Sequence, residues 1–416
     1  QRMKTLSDYM LEKEEELNLE FTSMVNRANT LIGNIGDLNR NIVIANGNNT
    51  SDQPSALLNE RDQAIDELAS IMGITVKEST TQNGAVTINL TSGESLVLEN
   101  GAFNLFELNT NADLTFKQLK LETNFGSQTK ADASIRIVED DLGGALGGLF
   151  GYRNEILGPA MRDVGQLSVA FADAMNTQNK LGMDLDGQLG SNIFDIPSFR
   201  GLAYSDTNGD YVVTAQITEG KGAELTDADY KIEVTAVTAG VPSQIEITLL
   251  NADGTPKKDA SGNDIIYSNY AVTAGFNELP GGIEVDFSGT DPYTVGNEFL
   301  IQPTKDIASK ITLETNRPED LAFASPVRAG ANNTNLGSAN VIDVTVSNTE
   351  VGASAFDGAG GLLNSAPAQI NFTAADTYDV VDGSGNVLAT VTGTTDLTNL
   401  ISQAGISPDP GFDLSL

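Results

Sequence analysis

The 416 residues carry 23 Lys and Arg against 57 Asp and Glu, a formal net charge of −34, and include no His, Cys or Trp. Without His there is no Ser/His/Asp triad, imidazole metal ligand or neutral-pH proton shuttle, and without Cys there is no thiolate zinc site, iron–sulfur cluster, disulfide or thiol nucleophile. So acidic a chain repels phosphate backbones and anionic lipid heads, which argues against nucleic acid and membrane as partners.

In chain order, the first pattern is a heptad seam. Apolar residues fall at Leu17, Phe21, Met24, Ala28, Leu31, Ile35, Leu38 and Ile42, in steps of four and three. That 3.5-residue repeat keeps one stripe of a long amphipathic helix facing a partner, and it predicts a helix over 17–42 extending back through 12–16. The acidic run 12–16 reads as a solvated face and the seam as intramolecular core, so the chain is expected to sediment as a monomer. A polar break at Asn46, Gly47, Asn48 and Asn49 follows, and Ser51, Asp52 and Pro54 supply the start signals of a second helix. Its apolar positions are Leu57, Leu58, Ile65, Leu68 and Met72, and it ends at Gly73. The two form an antiparallel pair. Alternation over 74–77, 85–90 and 94–98, with Asn83-Gly84 and Ser92-Gly93 between, predicts a small β-meander. A third helical pattern runs from Leu146 to Met175 with Pro159 inside it, which predicts a bend near 155–159.

Beyond Gly182 short alternating stretches at 211–217, 230–237, 244–249 and 298–301 are separated by Asn208-Gly209-Asp210, Asp253-Gly254 and Gly262-Asn263-Asp264. Regular short strands with turn chemistry predict an all-β sandwich or barrel. Residues 318–321 read as a short helix and 329–338 as a linker, with further β texture to the end. One internal repeat is visible: 225–232 parallels 372–380 with one inserted residue, and 282–287 parallels 411–416. The second copy then stops before the equivalent of 296–301. The alignment predicts an unpaired edge, with a tail that is poorly ordered or borrows an edge.

No stretch carries catalytic chemistry. The Gly-rich run 143–151 precedes a helix but lacks a P-loop lysine and the dinucleotide spacing, so its small residues are read as allowing close backbone approach. Asp184-Leu185-Asp186-Gly187 lacks the remaining oxygen ligands of a calcium loop and reads as a turn. Asn48-Asn49-Thr50 and Asn89-Leu90-Thr91 fit the glycosylation pattern, which recurs by chance. No catalytic, cofactor-binding or metal-binding residue is therefore assigned, and no cofactor. A carboxylate-dependent hydrolase ranks last. No apolar run nears the roughly 20 residues of a membrane span, and the N-terminus lacks a signal-peptide layout.

Several stretches taken together resemble the flagellar hook-associated protein 1 family. These are the helix 57–68 (Leu-Leu-Asn-Glu-Arg-Asp-Gln-Ala-Ile-Asp-Glu-Leu), the hairpin 83–97, the Gly-rich start 144–153, the helix 167–178, the turn 182–187 and the strand 296–303. Their order and spacing cover most of residues 1 to 330. The region after 331 resembles an extra β-module of some members, and the α-helical segments at both termini of family members are not present. The resemblance implies a secreted, extracellular, non-catalytic structural subunit of the bacterial flagellum that joins hook to filament. It further implies self-association into a ring, contacts with hook protein and the neighbouring junction protein, and an export chaperone that binds the missing C-terminal region. The alternative is a secreted surface adhesin or carbohydrate-binding protein. The expected fold is a multidomain α+β chain, an elongated helical-bundle rod domain with inserted or appended all-β domains. The division is 1–190 helical rod, 191–315 all-β, 316–331 a short return to the rod, and 332–416 a second, truncated β module.

Overall fold

The computed structural model describes residues 1–48, 54–123, 134–207, 209–289, 291–333, 335 and 337–416. The expected cap residues Ser51 and Asp52, the acceptor pattern at Asn49-Thr50 and turn residue Asn208 lie outside these. The chain divides into two compact units. The first comprises Gln1–Leu167, Ser198–Ile217 and Leu225–Lys310; the second comprises Ser168–Pro197, Thr218–Glu224 and Ile311–Leu416.

In the first unit helix α1 spans Arg2–Asn48 and helix α2 Ser55–Ile71. Of the seam residues, Leu17, Phe21, Ala28, Leu31, Ile35, Leu38 and Ile42 are buried in α1 and Met24 is half-buried; Val25 and Ile32 join them and widen a coiled-coil seam into a globular helix face. Those from Leu17 to Ile35 pack on Leu68 and Ile71 of α2, on Met72 at its C-cap and on the inner residues of two small sheets. The first of those is the expected meander, Ile74–Glu78, Val86–Leu90 and Ser95–Val97. The second, Leu105–Thr110, Lys117–Glu122 and Ser134–Arg136, was not legible in the sequence; it inserts Phe106, Leu119 and Leu121 into the same core.

Helix α3 covers Gly144–Gly151, and a π-helical turn at Tyr152–Leu157 carries it into helix α4 at Gly158–Lys180. The bend expected from Pro159 therefore takes the form of a π turn just ahead of the proline, where the wider i→i+5 spacing tolerates the missing N–H. The Gly-rich start is a close approach. Gly144 has φ +61°, and a Cβ there would meet the Ile71 carbonyl carbon and the Met72 nitrogen of the α2 exit at 2.6 Å.

The β-rich part of this unit holds two antiparallel sheets. One contains Phe199–Arg200, Tyr211–Ile217, Asn277–Leu279 and Ile283–Gly289; the other has five strands, ordered Ile266–Ala271, Val241–Leu250, Asp229–Thr238, Glu298–Ile301 and Leu202–Ala203. Tyr211 and Phe287 of the first sheet meet Tyr293 and Phe299 at centroid separations of 5.0–5.9 Å, an aromatic cluster that ties the two sheets together.

In the second unit the polar residues of α4 anchor returning backbone. Asn176 Nδ2 donates to the Phe194 carbonyl at 2.8 Å, and its Oδ1 accepts from the Ile193 and Phe194 amides at 2.9 Å. Asn179 likewise donates to Ser191 and accepts from Ala322, and Asp173 accepts from the amides of Gly220 and Gly222. The 184–187 segment is a turn, with Asp184 Oδ1 accepting the Gln188 amide and Gly187 at φ +75°.

The C-terminal stretch of this unit forms a three-stranded sheet, Pro367–Ala374, Thr377–Asp382 and Val387–Thr392, and a two-stranded one, Asp343–Val346 with Phe412–Ser415. Tyr230 and Tyr378, equivalent in the repeat, are both fully buried, and their hydroxyls donate to the Pro280 and Leu400 carbonyls at 2.9 and 2.7 Å. Of the two outcomes expected for the tail, poor order or a borrowed edge, the structure has the second, while the unpaired edge expected from the repeat is corrected. Residues 412–415 pair in register with 343–346. The position beside Thr377–Asp382 that Glu298–Ile301 takes beside Asp229–Thr238 is filled by the preceding strand Pro367–Ala374.

Candidate functional site

Within the first unit, a segment at 302–305 runs on from the strand Glu298–Ile301 and fastens the sheets to the helices. Thr304 lies against α4 at Gly165, where a Cβ would drive into the Thr304 carbonyl, so only glycine admits this approach. Lys305 is 9% exposed, and its Nζ reaches Glu14 of α1 at 2.8 Å, Asp113 at 2.6 Å and the Thr115 hydroxyl at 2.8 Å. Gln302 Nε2 donates to Asp229 Oδ2 at 2.9 Å, and Arg162 of α4 grips the same carboxylate with Nε, at 3.1 Å, and Nη2. A third cation lies alongside. Arg153 in the π turn pairs with Glu139 at 2.6 Å and stacks on Phe116, Phe150 and Phe21 at 4.0, 5.0 and 5.5 Å.

Each buried charge thus has a close opposite partner, as burial demands. Burial pushes the Asp113 carboxyl up, but the Lys305 charge and hydrogen bonds from Lys305 and Thr115 outweigh it and hold the group below its ordinary value. Burial depresses Lys305, and Glu14 and Asp113 overcome that to raise it. Arg162 is likewise raised by Asp229 against its own burial.

The signs fix a stability window. A depressed carboxyl contributes stability above its unfolded pKa and loses it as pH falls through the folded value; a raised lysine contributes below its unfolded pKa and loses it as pH rises through the folded value. Stability of this unit should be flat between about pH 5 and pH 9 and fall in acid. Urea midpoints followed by circular dichroism across the acid range should drop less steeply in Asp113→Asn than in the unmodified chain. Parallel slopes would remove Asp113 from the account.

The arrangement locks sheets to helices through charges removed from water. Among the described residues no group of three or more Asp and Glu is placed to hold a metal ion, and no helix is long and apolar enough to cross a membrane. The solvated reading of 12–16 is corrected at one position, since Glu14 turns inward to Lys305 while Glu12, Glu15 and Glu16 stay exposed. The sequence signal nearest the clamp was the 296–303 motif, which ends two residues before Lys305.

Helical cores carrying sheets clamped by buried ion pairs make up an α+β protein of several parts. Residues 1–194 match the family described as "Flagellar hook-associated protein FlgK helical domain". The chain is 28% identical to flagellar hook-associated protein 1 of Escherichia coli (strain K12) over 361 residues, covering 86% of this chain and 60% of that protein. It is 29% identical to flagellar hook-associated protein 1 of Salmonella typhimurium over 328 residues, covering 78% and 54%. The chain thus spans little more than half the length of these curated relatives. The solved flagellar hook junction protein FlgK from Burkholderia pseudomallei shares the fold, with TM-score 0.73 at 23% identity over 99% of this chain and 72% of that one. The chain is thus similar to flagellar hook-associated proteins along most of its length.

Proposed function

We propose that this chain is part of a non-catalytic junction subunit of the bacterial flagellum, standing extracellularly between hook and filament. The observation that supports this reading most is the likeness to hook-associated protein 1 along 86% of the chain, helical and β-rich parts alike. The physical chemistry agrees with it. A chain without cysteine can be exported unfolded without forming disulfides, and a net charge of −34 keeps secreted monomers apart in solution. The buried clamps then give a subunit that bears load with its sheets held on its helices. In the whole protein, neighbouring copies close into a ring through heterologous contacts, with hook protein on one side and the next junction protein on the other. An export chaperone binds the C-terminal part of the whole protein. The domain division 1–190, 191–315, 316–331 and 332–416 is kept as the working description of its parts. The adhesin alternative has no support among these relatives.

The reading is tested by deleting the gene in the source bacterium. Cells should then carry hooks without filaments, and filaments should return with the full-length gene. Normal filaments on the deletion strain would overturn the reading.

A further inference from the structure

Sheet proteins guard their edges with lysine, proline, bulges or covering segments. In the sheet Pro367–Ala374, Thr377–Asp382, Val387–Thr392, the first and third strands are the edges. From residue 329 onward the chain holds nine carboxylates and not one Lys or Arg, so no lysine can guard them. The strand Pro367–Ala374 is eight residues without a charge, and among the described residues no backbone hydrogen bond reaches its outer side. Its bulges against Thr377–Asp382 lie at the two ends, leaving 369–372 in unbroken register. Phe372 remains 42% exposed even though its ring tilts on Tyr378 at 5.3 Å. Gln369 and Asn371, alternating with the core-facing Ile370, hydrogen-bond each other. The neutral edge Ile266–Ala271 of the other unit differs, because Asn269 at φ +56° interrupts its row of backbone groups.

We propose that the strand Pro367–Ala374 pairs antiparallel with the same strand of a second copy of this chain, about a two-fold axis at Asn371. Two considerations select a second copy. A two-fold pairing sets one neutral strand against another, so no carboxylate of either edge opposes a like charge. The register that keeps the faces matched sets Ile370 opposite Phe372 of the second copy and Gln369 opposite its Thr373. Each exposed ring is then covered by a β-branched neighbour, the cross-strand combination that favours sheets. The paired stretch 369–373 is five residues with Thr373 at the bulge, a small interface, so pairing is weak and is seen only at high concentration. This inference does not depend on the junction reading.

Sedimentation equilibrium of the full chain over rising concentration tests it. The expected result is a monomer when dilute and a dimer when concentrated, with more dimer at high salt, because salt screens the repulsion between two acidic modules while leaving the backbone ladder intact. Gln369→Lys with Asn371→Lys should leave the fold unchanged by circular dichroism and abolish the dimer. Asn371→Cys should give a disulfide-linked dimer with oxidised glutathione as oxidant, because paired Cα atoms about 4.5–5.5 Å apart suit a disulfide and the chain has no other cysteine. Val387→Cys on the opposite edge should not. A monomer at every concentration in high salt, a dimer that survives the lysines, or cross-linking through Val387→Cys alone would each overturn the proposal.

Discussion

Replacing Lys305 with Met should destabilise the chain by about 3–5 kcal/mol, since it strands two carboxylates that the native fold has taken out of water. Glu14 and Asp113 are 12% and 6% exposed, so water cannot take the place of the ammonium without opening the joint. The cost comes from the orphaned acids rather than from any large net value of the ion pairs. Adding Glu14→Gln and Asp113→Asn to Lys305→Met should therefore recover much of the loss. Urea unfolding of the three chains decides the matter. A loss below about 1 kcal/mol in the single variant would mean that the trio behaves as an exposed pair screened by solvent.

Gly165→Ala should cost about 3 kcal/mol or more, at the upper end for overpacking, although alanine is the better helix former. On propensity alone the substitution in the middle of α4 would stabilise by up to about 1 kcal/mol. Sterics reverse the sign, because the new methyl group meets the backbone carbonyl of Thr304, which no rotamer change can move aside. Glycines elsewhere supply the control. Gly148 in α3 has open space where a Cβ would go, so Gly148→Ala should be neutral or stabilising. Equal melting shifts for the two substitutions would contradict the close approach of α4 to 302–305.

The elements governed by periodicity were legible in the sequence and those governed by long-range pairing were not. Phe21, Ala28 and Ile35 announce a buried stripe through their spacing, and they are buried. Asn83-Gly84 and Ser92-Gly93 mark the hairpins of the first meander by their turn chemistry. The strands Leu105–Thr110 and Lys117–Glu122 carry no clear sequence signal, because more than half their residues are polar and the loop between them lacks a two-residue turn signal. The clamp was hidden for a deeper reason. Glu14 is one acid in a run of acids, and nothing local distinguishes it from Glu12 or Glu15. Its partner Lys305 lies in another element entirely, and Asp113 stands 192 residues before that lysine. Only the tertiary fold brings the three together. The repeat matches Tyr230 with Tyr378, and the tail does borrow an edge, but the vacant edge the repeat implies is filled, because aligned segments do not reveal that an earlier strand already occupies that position.

The reading of the whole stands or falls on where the protein sits. Immunogold electron microscopy of the source bacterium's surface appendages, with antibody raised against this chain, measures that directly. A single gold band where hook meets filament is the predicted result. Gold along the whole filament, or scattered over the cell body, would contradict it.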